Sequence, residues 1–217
     1  MGVDRDGSAP SRLRVAIHSR VMTQRIVIVG AGSQGMIVAD ILERAGTPAI
    51  GFVDDTPGTN VLGTIGDLRT IAHDAIIIAI GDNRLRRALA EKLSGERLAT
   101  AIHPFTSIAA SARIGEGSMI SAGAIVSPRA VIGRSVILNT NASVDHDSII
   151  GDFAHASAGS TIGGKVRIGE ETLIALGASV ASGMTVGARS VIGAGAAVVR
   201  DIPDDVTAFG VPARVRS

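Results

Sequence analysis

The chain contains no cysteine, no tryptophan and no tyrosine, and only four phenylalanines among its 217 residues. Without cysteine there is no disulfide framework and no thiolate metal site, which agrees with a reducing, cytoplasmic setting. Few aromatics and a formal net charge of +1 remove both the stacking platform and the electrostatic footprint of a nucleic-acid binder. No uncharged apolar run approaches the roughly 18 residues needed to cross a bilayer, so no membrane insertion is expected. The first 22 residues also lack the apolar stretch and small-residue cleavage site of a signal peptide. Rich in polar and small residues such as Asp4, Asp6, Gly7 and Ser8, they are expected to be a disordered extension or a mis-assigned start upstream of Met22. His18 lies in this segment and is given no role.

What the chain does contain is Ile, Val, Leu and Ala, which make up nearly all of its 46% hydrophobic residues. From Ile108 an aliphatic residue recurs every six positions: Ile114, Ile120, Val126, Ile132, Leu138, Val144, Ile150, Ala156, Ile162, Ile168, Ile174, Val180, Val186, Ile192 and Val198. A helix drifts out of a six-residue period within two turns, and a simple strand repeats every two, so neither accounts for this array. A parallel β-helix does, with three hexads per triangular coil and aliphatic corners stacked from coil to coil. Glycine often follows the aliphatic residue, as at Gly115, Gly133, Gly151, Gly163, Gly169, Gly187 and Gly193, where a corner is expected to need a permissive backbone. The one small member of the series, Ala156, sits beside His155 and suggests a recess there for a ligand.

The front half alternates β and α. Arg25 to Val29 reads as a strand, Gly30-Ala31-Gly32-Ser33-Gln34-Gly35 as a turn, and Met36 to Ala45 as a helix; further strands are expected at Ala49 to Val53 and Ala75 to Ile80, and a second helix at Leu85 to Ser94. Such a pattern specifies a small parallel sheet with ligands beyond its carboxyl ends. Gly30, Gly32 and Gly35 fit the dinucleotide fingerprint, with Asp54 about 20 residues on as the ribose-binding acid. With about three strands the second mononucleotide-binding half is missing, so one nucleotide fits better than two. A tight turn without ligand stays open as the alternative. The chain therefore divides into residues 1–22, a Rossmann-like unit at 23–101 and a β-helix at 102–217.

Asp145-His146-Asp147 and His155 form a second polar constellation. A polar cluster cannot point into a stacked aliphatic core, so these side chains are expected on the outside or between subunits. A carboxylate next to an imidazole favours its protonated form, which suits a general base. A solvated surface histidine and a metal ligand are the alternatives; no metal is expected. His73 and His103 are assigned no role, His103 reading as a cap at the junction of the two halves.

These features together, with Ala79-Ile80-Gly81-Asp82-Asn83-Arg84-Leu85-Arg86 and the ending Gly210-Val211-Pro212-Ala213-Arg214, resemble the hexapeptide-repeat sugar O-acyltransferases of the sialic acid O-acetyltransferase type. The resemblance runs from about Arg25 to Arg214 and is strongest to the branch of nucleotide-sugar N-acetyltransferases such as the GDP-perosamine enzymes. It implies a truncated Rossmann-like α/β domain followed by a left-handed β-helix, the handedness coming from the resemblance and not from the period. It also implies an acetyl-CoA-dependent acetyltransferase acting on a GDP- or UDP-linked 4-amino-deoxy sugar in polysaccharide biosynthesis, and a homotrimer with coenzyme A between neighbouring β-helices. His146 would be the general base, supported by Asp147. Gly32, Ser33, Gln34, Asp54, Asp55 and Gly81 would meet the sugar nucleotide, and His155, Gly164, Leu176 and Ala194 the acetyl-CoA. Many members have His where this chain has Gln34. A sugar O-acetyltransferase, an NAD-dependent oxidoreductase and a non-catalytic β-helix scaffold are the competing functions.

Overall fold

The computed structural model of the chain describes residues 24–216. The expectations for residues 1–22 and for His18 lie outside them. The α/β region begins with β1 (Ile26–Val29), α1 (Ser33–Arg44), β2 (Gly51–Val53) and β3 (Val61–Gly63). A 3-10 turn (Ile65–Thr70), β4 (Ala75–Ile78) and α2 (Asn83–Lys92) complete it. The strands form one parallel sheet in the order β3-β2-β1-β4. Sequence alone misses β3, since Val61-Leu62-Gly63 is short and lies among turn residues. β1 and β4 are buried throughout, as apolar runs covered on both faces should be.

Two-residue strands then follow every six residues from Ala101–Ile102 to Ala197–Val198, in three parallel sheets that make a left-handed β-helix of about six turns. Each residue pairs with the one 18 positions along, as in Val131 with Ile149 and Ile137 with His155. The hexad residues point inward, and Ile120, Leu138, Val144, Ile174 and Ile192 are sealed in a single core. Each aliphatic side chain buried this way contributes roughly 1.5–3 kcal/mol. Inside the corners, Ser118, Ser148 and Thr172 hydroxyls donate to the carbonyls of Gly133, Gly163 and Gly187 and accept the N–H of Val136, Val166 and Ser190, so these buried polar groups are paired. A hairpin of Thr207–Phe209 and Arg214–Arg216 closes the far end of one sheet.

Two readings of the repeat are corrected. The glycines after the hexad residue are not the left-handed positions. Positive φ falls three residues after the aliphatic residue, at Arg129, Ser135, Asn141, Asp147, Lys165 and Gly159 among others. The glycines are needed because consecutive coils nearly touch there: a Cβ on Gly169 would lie against Ala188 N and 2.6 Å from the Gly187 carbonyl carbon. Ala156 likewise makes no recess for a ligand, because its methyl points into the core while His155 faces out.

The N-terminal region lies on the outer face of the sheet that contains Ala101, Met119, Ile137 and His155. Val38, Ile41 and Leu42 of α1 pack in one cluster with Ala101, Met119 and Ile137. The other side of the small sheet packs with α2 and Phe153. Arg86 is fully buried in the seam, and its guanidinium donates to carbonyls of Ile80 and of the β-helix residues Ser135 and Phe153 at 2.6–2.9 Å, and to Asn83 Oδ1 at 2.8 Å. Burial lowers its pKa to about 10, so it stays charged at neutral pH.

The two kinds of glycine can be separated by denaturation. Gly169→Ala should cost at least about 2 kcal/mol, as overpacking that backbone cannot relieve. Gly159→Ala, at φ +67° with no atom within 4 Å of its Cβ, should cost only about 1 kcal/mol. Equal losses would contradict the stacking explanation.

Candidate active site

The turn after β1 shows three glycines with three jobs. Gly30 turns the chain at φ +102°, Gly35 lies so close to the Gly30 carbonyl that no Cβ fits, and Gly32 opens on empty space. Ala31, Gly32, Asp54, Thr56 and Pro57 line a cleft of about 510 Å³. Asp54 accepts the backbone N–H groups of Ala31 and Thr56, both at 2.7 Å, and these bonds hold its carboxyl below the usual range. Ser33 is exposed at the start of α1, next to Gly32. Two other expected contacts turn elsewhere: Gln34 reaches Met119 Sδ of the β-helix at 3.7 Å, and Asp55 accepts from Ile65 N at 3.1 Å.

Gly81, after β4, belongs to a different cleft of about 530 Å³ between the small sheet and the β-helix. Its walls include Asn83, His155, Glu171 and Leu173. His155 lies on the outer face of its sheet, outside the core as the sequence suggested, but under the Gly81 turn of the same chain, where its Nε2 is sealed from solvent and has no hydrogen-bond partner among the described residues. Desolvation, with the Arg86 charge acting the same way, lowers its pKa to about 4, while the Gly81 carbonyl opposes the shift. It is a neutral imidazole at physiological pH. Leu176 and Ala194, one coil apart, are both exposed on the corner that follows this sheet.

His146 and Asp147 lie on another corner, between the sheet of Val144 and the sheet of Ile150. His146 Nδ1 is 2.8 Å from Asp147 Oδ2, and the histidine side chain is 47% exposed. Asp145 Oδ1 accepts the His146 backbone N–H at 2.7 Å and so fixes the turn. Gly164, one coil on, leaves room for the ring: a Cβ there would come 2.7 Å from His146 Nε2. The sequence missed Arg129, whose Nε and Nη2 donate to Oδ1 and Oδ2 of Asp147 at 2.6 and 2.8 Å. These bonds, followed by the one from His146, hold the Asp147 carboxyl well below the usual carboxylate range. Among the described residues, no group of three or more His, Asp and Glu could hold a metal ion.

In one chain, then, the His146 corner and the His155 sheet occupy opposite sides of the triangular prism. The expected site residues fall into four groups: Gly32 and Ser33 with Gln34, Asp54 and Asp55 around the first turn, Gly81 with His155, Leu176 with Ala194, and His146 with Asp147 and Gly164.

Known proteins share this fold. Residues 25–93 match the family described as the PglD N-terminal domain. PerB of Caulobacter crescentus, solved with CoA and GDP-perosamine, is 38% identical, with 89% of this chain and 97% of that one covered and a TM-score of 0.86. The chain belongs to the nucleotide-sugar acetyltransferases. The acetyltransferase domain of PglB from Neisseria gonorrhoeae is also 38% identical, covering 89% of this chain and all of that domain, with a TM-score of 0.85. The curated UDP-N-acetylbacillosamine N-acetyltransferase of Bacillus subtilis is 38% identical over 112 residues, which is 46% of this chain and 52% of that protein. Like its family, the chain has an α/β region followed by a left-handed β-helix. No helix among the described residues is long and apolar enough to cross a membrane.

The burial of His155 has a consequence for acid stability. Its folded pKa of about 4 lies below the ordinary 6.5, so its contribution is complete above pH 6.5 and is lost as the pH falls toward 4. His155→Gln should therefore remove part of the fall in Tm between those pH values. An unchanged acid slope would mean that the ring is already solvated in the folded protein.

Proposed function

We propose that the chain transfers an acetyl group from acetyl-CoA to the amine of a GDP- or UDP-linked 4-amino-deoxy sugar. The observation that carries this reading is the His146–Asp147 pair, open to solvent beside Gly164 in a fold whose solved relative holds CoA and GDP-perosamine. The ionised Asp147 can only accept a hydrogen bond, so Nδ1 of His146 carries the proton and Nε2 is left as the base. As the amine attacks the thioester carbonyl, Nε2 takes its proton and Asp147 stabilises the imidazolium. The C–S bond then breaks, the imidazolium returns its proton to the departing sulfur, and CoA leaves as the thiol with His146 neutral again. Gly164, whose N–H has no acceptor among the described residues, is proposed to hold the oxyanion. Transfer is direct, with no cysteine to carry an acyl intermediate, and most of the acceleration comes from holding two substrates in line.

In this reading residues 23–101 bind the sugar nucleotide, through Gly32, Ser33 and Asp54 on one side and Gly81 on the other. Residues 102–217 bind acetyl-CoA through Leu176, Ala194 and the neutral His155. Gln34 and Asp55 can join the sugar-nucleotide contacts through the oxygens that their present bonds do not use, Oε1 of Gln34 and Oδ2 of Asp55. The separation of His146 from the sheet that carries His155 supports a homotrimer in which a neighbour's corner completes each site. A cytoplasmic enzyme supplying acetamido sugars for polysaccharide synthesis is the setting we propose.

His146→Ala should lower kcat by a factor of roughly 10² to 10⁴ with KM little changed; near-normal turnover would sink the base assignment. Thiol release measured with GDP-, UDP- and dTDP-linked amino sugars and their hydroxyl counterparts should appear with an amine acceptor and follow sequential kinetics. Release with hydroxyl acceptors alone would make the chain an O-acetyltransferase. Binding of NAD without any sugar nucleotide would favour an oxidoreductase.

A further inference from the structure

We propose that Arg129 is a positioning residue that sets the orientation and the tautomer of His146. This rests on the reading of His146 as the general base. Arg129 stands 18 residues before Asp147, one full coil, and both take the left-handed conformation at φ +61°. Their side chains therefore leave the same corner, one above the other. The guanidinium fork closes on both carboxylate oxygens, and Oδ2 is shared with His146 Nδ1.

The fold does not require this ion pair. The same corner continues to Lys165 and Gly183 with no fork, and an exposed pair of this kind adds little to stability. A similar fork joins Arg189 to Asp205 at a different corner, where no histidine shares the carboxylate. What distinguishes the pair at Asp147 is that one oxygen serves two donors. With Arg129 in place the carboxylate plane is fixed, Nδ1 keeps its proton and Nε2 stays the acceptor beside Gly164. Without it, a side chain that is 30% exposed is free to rotate away from the ring.

Two variants test the fork. Arg129→Met removes fork and charge, and kcat should fall roughly tenfold with KM little changed. Arg129→Lys keeps the charge without the fork, so kcat should fall in the same way. Ring ¹⁵N shifts of His146 in the resting protein give a reading without turnover. The parent should show the proton on Nδ1, and Arg129→Met a mixture of the two tautomers. An Arg129→Met protein with parental ring shifts and a parental kcat would overturn the proposal. An active His146→Ala variant would remove the base reading and leave the ring-shift result standing.

Discussion

Backbone hydrogen bonds between coils fix the spacing of everything on the β-helix at 18 residues. Gly163 N donates to Val180 O, Ser143 N to Ser160 O and Lys165 N to His146 O, each at 2.9 Å. Every side chain therefore lies above another whose identity is set by the period. One inserted residue would turn inward-facing positions outward. The geometry of the proposed base is a product of the same columns: Arg129 stacks on Asp147, and the His146 ring stands over Gly164. Leu176 stacks on Ala194 in the same way.

The second constraint is the seam between the two regions. Arg86 satisfies carbonyls from both sides of it, and a buried cation with this many acceptors resists displacement, since moving it strands a charge. It keeps the Gly81 turn seated over His155, which explains how a histidine on the outer face of a sheet comes to be neutral and sealed. The glycine turn at Gly32 and the cleft at Gly81 follow β1 and β4, where the strand order reverses and where parallel sheets place their ligands. His146, the proposed base, stands on the far side of the prism. On that proposal a single chain carries two incomplete halves of one site.

Much of this was legible in the sequence, for a physical reason. The hexad array and the glycine fingerprint are local patterns, written in consecutive residues. His146 and Asp147 are adjacent, so their pairing needed no fold to see. Arg86 and Arg129 were not assigned because their partners are 49 and 18 residues away, although the Arg129–Asp147 match follows once the coil length is known. The glycines were found but misread, since a turn that tolerates Arg, Asp and Lys at positive φ hides where the backbone bends. Close stacking leaves its mark on the neighbouring coil. His155 was rightly placed outside the core, but its cover was not foreseen, because nothing in the hexads tells which sheet the N-terminal region lies on.

The central claim is that a site forms between chains, and mixed oligomers test it directly. His146→Ala lacks the base. Gly32→Glu puts a negative charge at the mouth of the nucleotide turn, where the residue added meets no atom within 4 Å of its Cβ. Each variant alone should be inactive. If the base of one chain serves the nucleotide cleft of its neighbour, random mixing of the two in a cyclic trimer restores about a quarter of the sites. Mixed oligomers with no activity would place base and cleft in the same chain and contradict the account.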